Sequence, residues 1–155
     1  MQPTPSSAEF FLAIYDLFAN QTFALYLAFS VSLALVLGYI WYADQFLGKR
    51  WKRLSGLSEY DESSNTPMLV PLVSLIAGSV LVAIPVYALS VSVIPPFSIY
   101  ATYLFWFAFS VGTSIAVHAF ERRPWELYLI DKGYDFVVVS CCALLSQLLV
   151  VPTVA

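Results

Sequence analysis

The sequence predicts an all-α membrane protein: four transmembrane helices in a bundle, with an N-terminal amphipathic helix lying in the interface. Three observations lead there. Of 155 residues, 60% are apolar and only 11% charged, whereas a soluble domain carries about a quarter of its residues as charges. Four long apolar runs alternate with polar segments. The stretch from Gly38 to Arg53 passes from hydrocarbon-like sequence through the aromatics Tyr39, Trp41 and Tyr42 to the cations Lys49, Arg50, Lys52 and Arg53. That is the pattern of a helix leaving a bilayer on the side of its positive loops.

Residues 1–21 lack the positive n-region and apolar core of a signal peptide. They read as a short helix capped near Ser6 or Ser7, with Phe10, Phe11, Ile14, Leu17 and Phe18 on one face and Glu9, Ala13, Asp16 and Asn20 on the other. Such a helix lies flat in the headgroup layer. The sequon Asn20-Gln21-Thr22 abuts the membrane and carries no expected function.

Residues 22–155 form one transmembrane domain with spans at about 22–42, 67–91, 98–120 and 136–155. Each matches the roughly 20 residues that cross a ~30 Å hydrocarbon core. Pro71 falls in the first turns of the second span and is cheap there; Pro85 is interior and is expected to kink the helix or end its regular part. The uncharged turn around Pro95 and Pro96 returns the chain directly to the membrane. All seven Lys and Arg lie in the segments 43–66 and 121–135, which places both loops on the cytoplasmic side and both termini opposite. Phe46 to Trp51 and Phe120 to Trp125 share a Phe, two basic residues and a Trp after an odd-numbered span. This echo suits parallel repeats, but the general preference of an inner interface for such residues explains it more simply.

No Asp, Glu, Lys or Arg falls inside these spans, which argues against a pump or a proton-coupled transporter. The polar residues at membrane depth are small: Ser74, Gly78 and Ser79 on the second span, Ser110, Gly112, Thr113 and Ser114 on the third, Ser140, Cys141, Cys142, Ala143 and Ser146 on the fourth. They suit close helix packing, and Gly112 with Ala116 makes a small-xxx-small pair. The adjacent cysteines read as small apolar fillers. Gln147 is the bulkiest uncharged polar group and must find a partner.

His118 and Glu121 share a helix face, and Asp131 and Asp135 follow. One histidine with scattered carboxylates falls far short of a metal or hydrolytic signature. A network of Glu121, Asp131 and Asp135 with Arg122, Arg123 and Lys132 in the loop is the expected arrangement. No phosphate-binding Gly-rich loop, nucleophile elbow or Cys-x-x-Cys occurs, so no catalytic or metal residue and no cofactor is assigned.

Trp41, Tyr42, Phe46, Trp51 and Leu54 interleave with Lys49, Arg50, Lys52 and Arg53, and Arg122, Arg123 and Trp125 repeat the composition in the second basic segment. Cations above an aromatic layer attract anionic lipid at about 1 kcal/mol per basic residue. The expected partners are therefore the bilayer and either further copies of the chain or a larger membrane complex. Nucleic acid is not among them.

Gly38-Tyr-Ile-Trp-Tyr42 followed by Phe46-Leu-Gly-Lys-Arg-Trp51 resembles the signature of the family designated domain of unknown function 1761. Arg123-Pro-Trp-Glu-Leu-Tyr-Leu-Ile-Asp-Lys-Gly-Tyr134 resembles its second half. The resemblance covers about residues 25–150, departs where Leu47 separates Phe46 from Gly48, and leaves the leader before Thr22 as an extension. It implies a small four-helix membrane protein and no particular activity. Three functions follow in order: a non-enzymatic membrane component, self-associating or accessory, with anionic-lipid contacts; a passive transporter or channel formed by an oligomer; a lipid-acting enzyme using His118, Glu121 and the nearby carboxylates.

Overall fold

The computed structural model describes residue 16 and residues 20–56, 69–93 and 97–149. The expected interfacial helix of residues 1–21, the polar part of the first loop and the Pro95-Pro96 turn lie outside them, Asp16, Asn20 and Gln21 excepted. The described residues are all-helical. They form α1 (Gln21–Trp41), α2 (Gly48–Ser55), α3 (Leu69–Ser92), α4 (Phe97–Phe120) and α5 (Trp125–Leu149).

Asn20 starts α1 as its N-cap: its Oδ1 accepts from the Thr22 amide at 2.8 Å, which gives half of the sequon a structural task. Along α1 the buried residues Phe23, Tyr26, Ser30, Ala34 and Gly38 recur at helical spacing. Their small members let α3 and α5 approach closely. The buried core joins these to Ala83, Val86 and Tyr87 of α3 and to Tyr134, Val138, Cys142 and Ala143 of α5. Phe23 meets Tyr87 edge-on, with ring centres 4.9 Å apart.

Three helices, Gln21–Trp41, Leu72–Ser92 and Phe97–Phe120, are long and apolar enough to cross a membrane. Their outward faces carry Leu25, Phe29, Val36, Leu72, Val73, Ile76, Leu104 and Phe107, all exposed. Only 6% of the apolar stretch of α4 is buried inside the protein, against 28% for α1. Pro85 does not end α3, which continues to Ser92. Within α4, residues Phe107–Val111 form a π-helical turn closed by the Gly112 amide on the Phe107 carbonyl.

The main correction concerns residues 121–135. Only 121–124 form a turn: α5 begins at Trp125, behind Pro124, and its first half carries Glu126, Asp131, Lys132 and Asp135. Helix persists through these charges because Leu127, Tyr128, Ile130 and Tyr134 are buried on one side and the charged groups find partners within the protein. The turn before α5 holds Arg122 at φ 54°, a left-handed conformation that costs a non-glycine residue about 1 kcal/mol.

Between α1 and α2 the chain reverses in six residues. A Cβ on Gly48 would lie 2.2 Å from the Tyr42 carbonyl oxygen and 2.7 Å from the Ala43 carbonyl carbon, so only glycine permits the turn. A Cβ on Gly78 would meet nothing within 4 Å. Gly48→Ala is expected to lower stability in thermal unfolding in detergent by roughly 1–3 kcal/mol or more, while Gly78→Ala leaves the midpoint unchanged.

Candidate functional site

The polar half of α5 gathers the end of α1, the whole of α2 and the middle of α4. Trp41 and Tyr42 end α1, and the glycine turn brings Trp51 of α2 back beside them: Tyr42 and Trp51 rings meet edge-on at 5.2 Å. All three are half-buried against α5. Trp41 donates from Nε1 to the Ile130 carbonyl at 3.1 Å, and its ring passes 3.1 Å from where a Cβ on Gly133 would stand. Glycine at 133 thus makes room for an indole.

Asp131 is the focus of this end. Its Oδ1 accepts from Trp51 Nε1 at 2.9 Å and from the Tyr42 hydroxyl at 3.1 Å. It lies before the uncharged part of α5, which starts at Phe136. Burial pushes its carboxyl above the usual carboxylate range; the Trp51 and Tyr42 donors pull it back, Asp135 adds to the rise and Lys132 opposes it. Burial and the neighbouring Asp131 carboxylate also raise the Tyr42 phenol. The arrangement holds a carboxyl group between two aromatic donors, and it can accept a proton more readily than an exposed aspartate.

The next polar level joins α5 to the π turn of α4. Lys132 Nζ donates to Asp135 Oδ2 at 2.8 Å and to Ser110 Oγ at 3.0 Å, and Ser110 donates to Asp135 at 3.2 Å. The Tyr128 hydroxyl donates to the Val111 carbonyl at 3.1 Å, with Ser114 Oγ 3.3 Å from the same phenol oxygen. His118 is buried between the rings of Trp125 and Tyr128, and its Nε2 donates to the Pro124 carbonyl at 3.1 Å. Asp135 also lines a cavity of about 200 Å³ with Ser74, Gly78 and Ser79 of α3.

The charges expected to form one network are divided. Arg123 pairs with Glu121 at 2.9 Å, Arg50 of α2 pairs with Glu126, and Lys52 reaches Asp44 at 3.2 Å. Asp131 takes no cation, and among the described residues Lys49, Arg53 and Arg122 enter no ion pair. His118, Glu121, Asp131 and Asp135 each have separate partners and do not converge. Among the described residues no three of His, Cys, Asp and Glu gather as metal ligands. Deeper in the helices, Gln147 finds Ser98 at 3.1 Å and Ser140 accepts from Tyr103 at 3.0 Å. In the first echoing segment Phe46 is exposed but meets Trp41, and Trp51 packs on Tyr42; in the second Phe120 is exposed and Trp125, also exposed on one side, packs on His118 and Tyr128.

The described chain is thus a helical protein with three membrane-length apolar helices and a polar cluster at one end of its fourth long helix. The model of the family described as a protein of unknown function (DUF1761) matches residues 25–146, and the chain belongs to that family. No curated protein and no solved structure matches it. The two segments that carry the resemblance pack on one another: Trp41, Tyr42 and Trp51 of the first meet Ile130, Asp131, Gly133 and Tyr134 of the second. Sequence reading took them as separate interfacial motifs.

The raised Asp131 carboxyl fixes a sign. The native state keeps this proton to higher pH than the unfolded chain does, so its contribution to stability is full below the ordinary carboxylate value and falls as pH rises through the raised one. Asp131→Asn keeps an acceptor for Trp51 and Tyr42 and is expected to remove that part of the decline from about pH 4 upward, read as the unfolding midpoint against pH. Asp131→Leu strands both donors and is expected to cost roughly 1–3 kcal/mol per donor.

Proposed function

We propose that the protein is a four-span integral membrane component without catalytic activity, which works by associating through α4 with further copies of itself. The observation that carries this reading is the exposure of α4. It is the least buried of the three apolar spans, and it presents Tyr100, Leu104, Phe107, Phe109, Ile115 and Val117 outward. Gly112 and Ala116 are also exposed. A small-xxx-small pair facing away from its own subunit lets a second backbone approach closely, which is how helices associate where lipid removes the hydrophobic drive.

In this reading α5 is the fourth span, its uncharged part from Phe136 onward lying in the hydrocarbon and its polar half at the cytoplasmic end with α2. The basic residues on that side support the orientation. Lys49 and Arg53 on α2, and Arg122 beside α5, are exposed and free of ion pairs among the described residues, so anionic headgroups are their natural counter-charge. A passive conduit formed by the oligomer is the second reading. It draws on the cavity of about 200 Å³ lined by Asp135, which is bonded to Lys132 and Ser110.

A Cβ on Gly112 would make one ordinary contact within its own subunit, 3.6 Å from the Phe107 carbonyl. Gly112→Leu is therefore expected to leave the unfolding midpoint of the subunit intact while converting a homo-oligomer to monomer in native mass spectrometry from a mild detergent. A wild-type monomer in that experiment sinks the association reading. In the same spectra the double variant Lys49→Gln/Arg53→Gln is expected to lose retained anionic lipid, about 1 kcal/mol of affinity per charge removed. Unchanged retention would remove the lipid contact.

A further inference from the structure

The last turn of α2 carries a pattern that neither helix packing nor the lipid contact uses. Lys52-Arg53-Leu54-Ser55 places a hydroxyl directly behind a pair of adjacent cations, with Arg50 further upstream. Protein kinases select serines by the charges around them, and cations just ahead of the hydroxyl are read by acidic subsites in the kinase cleft.

The fold presents this serine at the end of its helix. Ser55 is the final residue of α2, and Gly56 follows at φ 75°, turning the chain out of the helix. A Cβ on Gly56 would meet nothing within 4 Å, so the space beside it is open. Ser55 is half-exposed, and its hydroxyl makes a local bond, donating to the Lys52 carbonyl at 3.1 Å. The anchors of α2 lie earlier: Arg50 pairs with Glu126, and Trp51 donates to Asp131. Among the described residues, none of 52–55 bonds to another helix. The last turn can therefore unwind into a kinase cleft while those anchors hold.

The charge balance of α2 gives such a modification a consequence. Arg50 and Lys52 are paired with Glu126 and Asp44, which leaves Lys49 and Arg53 as the free cations on which the headgroup contact rests. A phosphoserine carries about −1.5 to −2 charges at neutral pH, so one phosphate offsets that whole excess. It also falls at the negative end of the helix dipole, where it disfavours the last turn.

We propose that Ser55 is a phosphorylation site for a serine/threonine kinase that selects basic segments, and that its phosphate switches off the anionic-lipid contact of α2. The switch rests on the cytoplasmic placement and the lipid contact proposed above. Ser55 Oγ attacks the γ-phosphorus of a nucleoside triphosphate, and the new O–P bond replaces the bond to the β-phosphate oxygen. The serine proton passes to the base of the kinase, and nucleoside diphosphate leaves. The phosphate then neutralises Lys52 and Arg53 locally and repels anionic headgroups.

The test incubates the full chain, in a mild detergent, with ATP and the catalytic subunit of cyclic-AMP-dependent protein kinase. Fragment masses locate the phosphate, and native mass spectrometry follows retained phosphatidylserine. Phosphate is expected on Ser55, to be lost in Ser55→Ala and to be taken up more slowly by Lys52→Gln/Arg53→Gln. The phosphorylated chain is expected to hold phosphatidylserine about thirtyfold more weakly than the unmodified one, the loss of two charges. A wild-type Ser55 that takes up no phosphate overturns the proposal. So does a phosphorylated chain that keeps its lipid while Lys49→Gln/Arg53→Gln loses it, a result that leaves the lipid contact standing. If that double variant also keeps its lipid, the contact fails and the switch fails with it. The wild-type uptake stands even if a variant does not fold.

Discussion

Each of the described helices α1 to α4 is tied to α5 by a side-chain hydrogen bond. Tyr134 donates to the Ala34 carbonyl of α1 at 2.9 Å, and Trp51 of α2 donates to Asp131. Ser90 of α3 donates to Ser146 at 2.7 Å, and α4 is held through Ser110, Tyr103 and Ser98. Between apolar helices in lipid, burial of side chains supplies little net drive, so hydrogen bonds of about 0.6–2 kcal/mol each and close backbone packing decide the arrangement. The polar residues of α5 also fix its rotation, because turning it by one residue breaks bonds to four neighbours at once. That is why a helix with less uniform hydropathy than its partners sits at the centre.

The cost of this arrangement is charge near apolar surface. Asp131, Lys132 and Asp135 follow one another along α5 with the core on one side, and each is compensated differently. Asp131 is met by two neutral donors, which offset only part of its burial, so its carboxyl stays above the usual carboxylate range. Lys132 and Asp135 neutralise one another through Ser110. The π turn belongs to the same compensation. The Val111 carbonyl at its end accepts from Tyr128 and its Ser110 accepts from Lys132, so the irregular turn of α4 is where α4 attaches to α5.

Three of the long helices were legible because lipid demands uniform apolarity, and a sequence without charge for some twenty residues declares itself. The start of α5 was not, for the same reason: a reading that equates charge with loop stops the helix at Phe136. The buried set Leu127, Tyr128, Ile130, Tyr134 and Val138 was the available signal, at spacings of a helix with one inward face. Small residues misled in another way. Gly112 and Ala116 were singled out as a packing pair, yet the pair is exposed, while Ser30, Ala34 and Gly38 of α1 are the ones buried. Spacing identifies a stripe; only the tertiary arrangement says which stripe meets its own chain. Nothing in Phe107-Ala-Phe-Ser-Val111 announces a π turn, and the partner of Gln147 depends on the register of two helices that sequence does not supply.

Ser110 ties the polar end of the protein to an apolar cavity of about 230 Å³ between α3 and α4, closed on the third side by Val139 of α5. Its hydroxyl is bonded to Lys132 and Asp135 on one side and its residue forms part of the cavity wall on the other. Anything that alters the Lys132–Asp135 pair acts on the π turn, and the π turn shapes the wall that holds Trp106 and Phe109. α4 is the element best suited to respond, since it is the least buried span and is held to α5 by hydrogen bonds at a few levels rather than by a continuous core. Exposure, backbone irregularity and cavity therefore occur on one helix for one physical reason. The chain has spent its close packing on α1, α3 and α5, and α4 is left to be completed by what surrounds it.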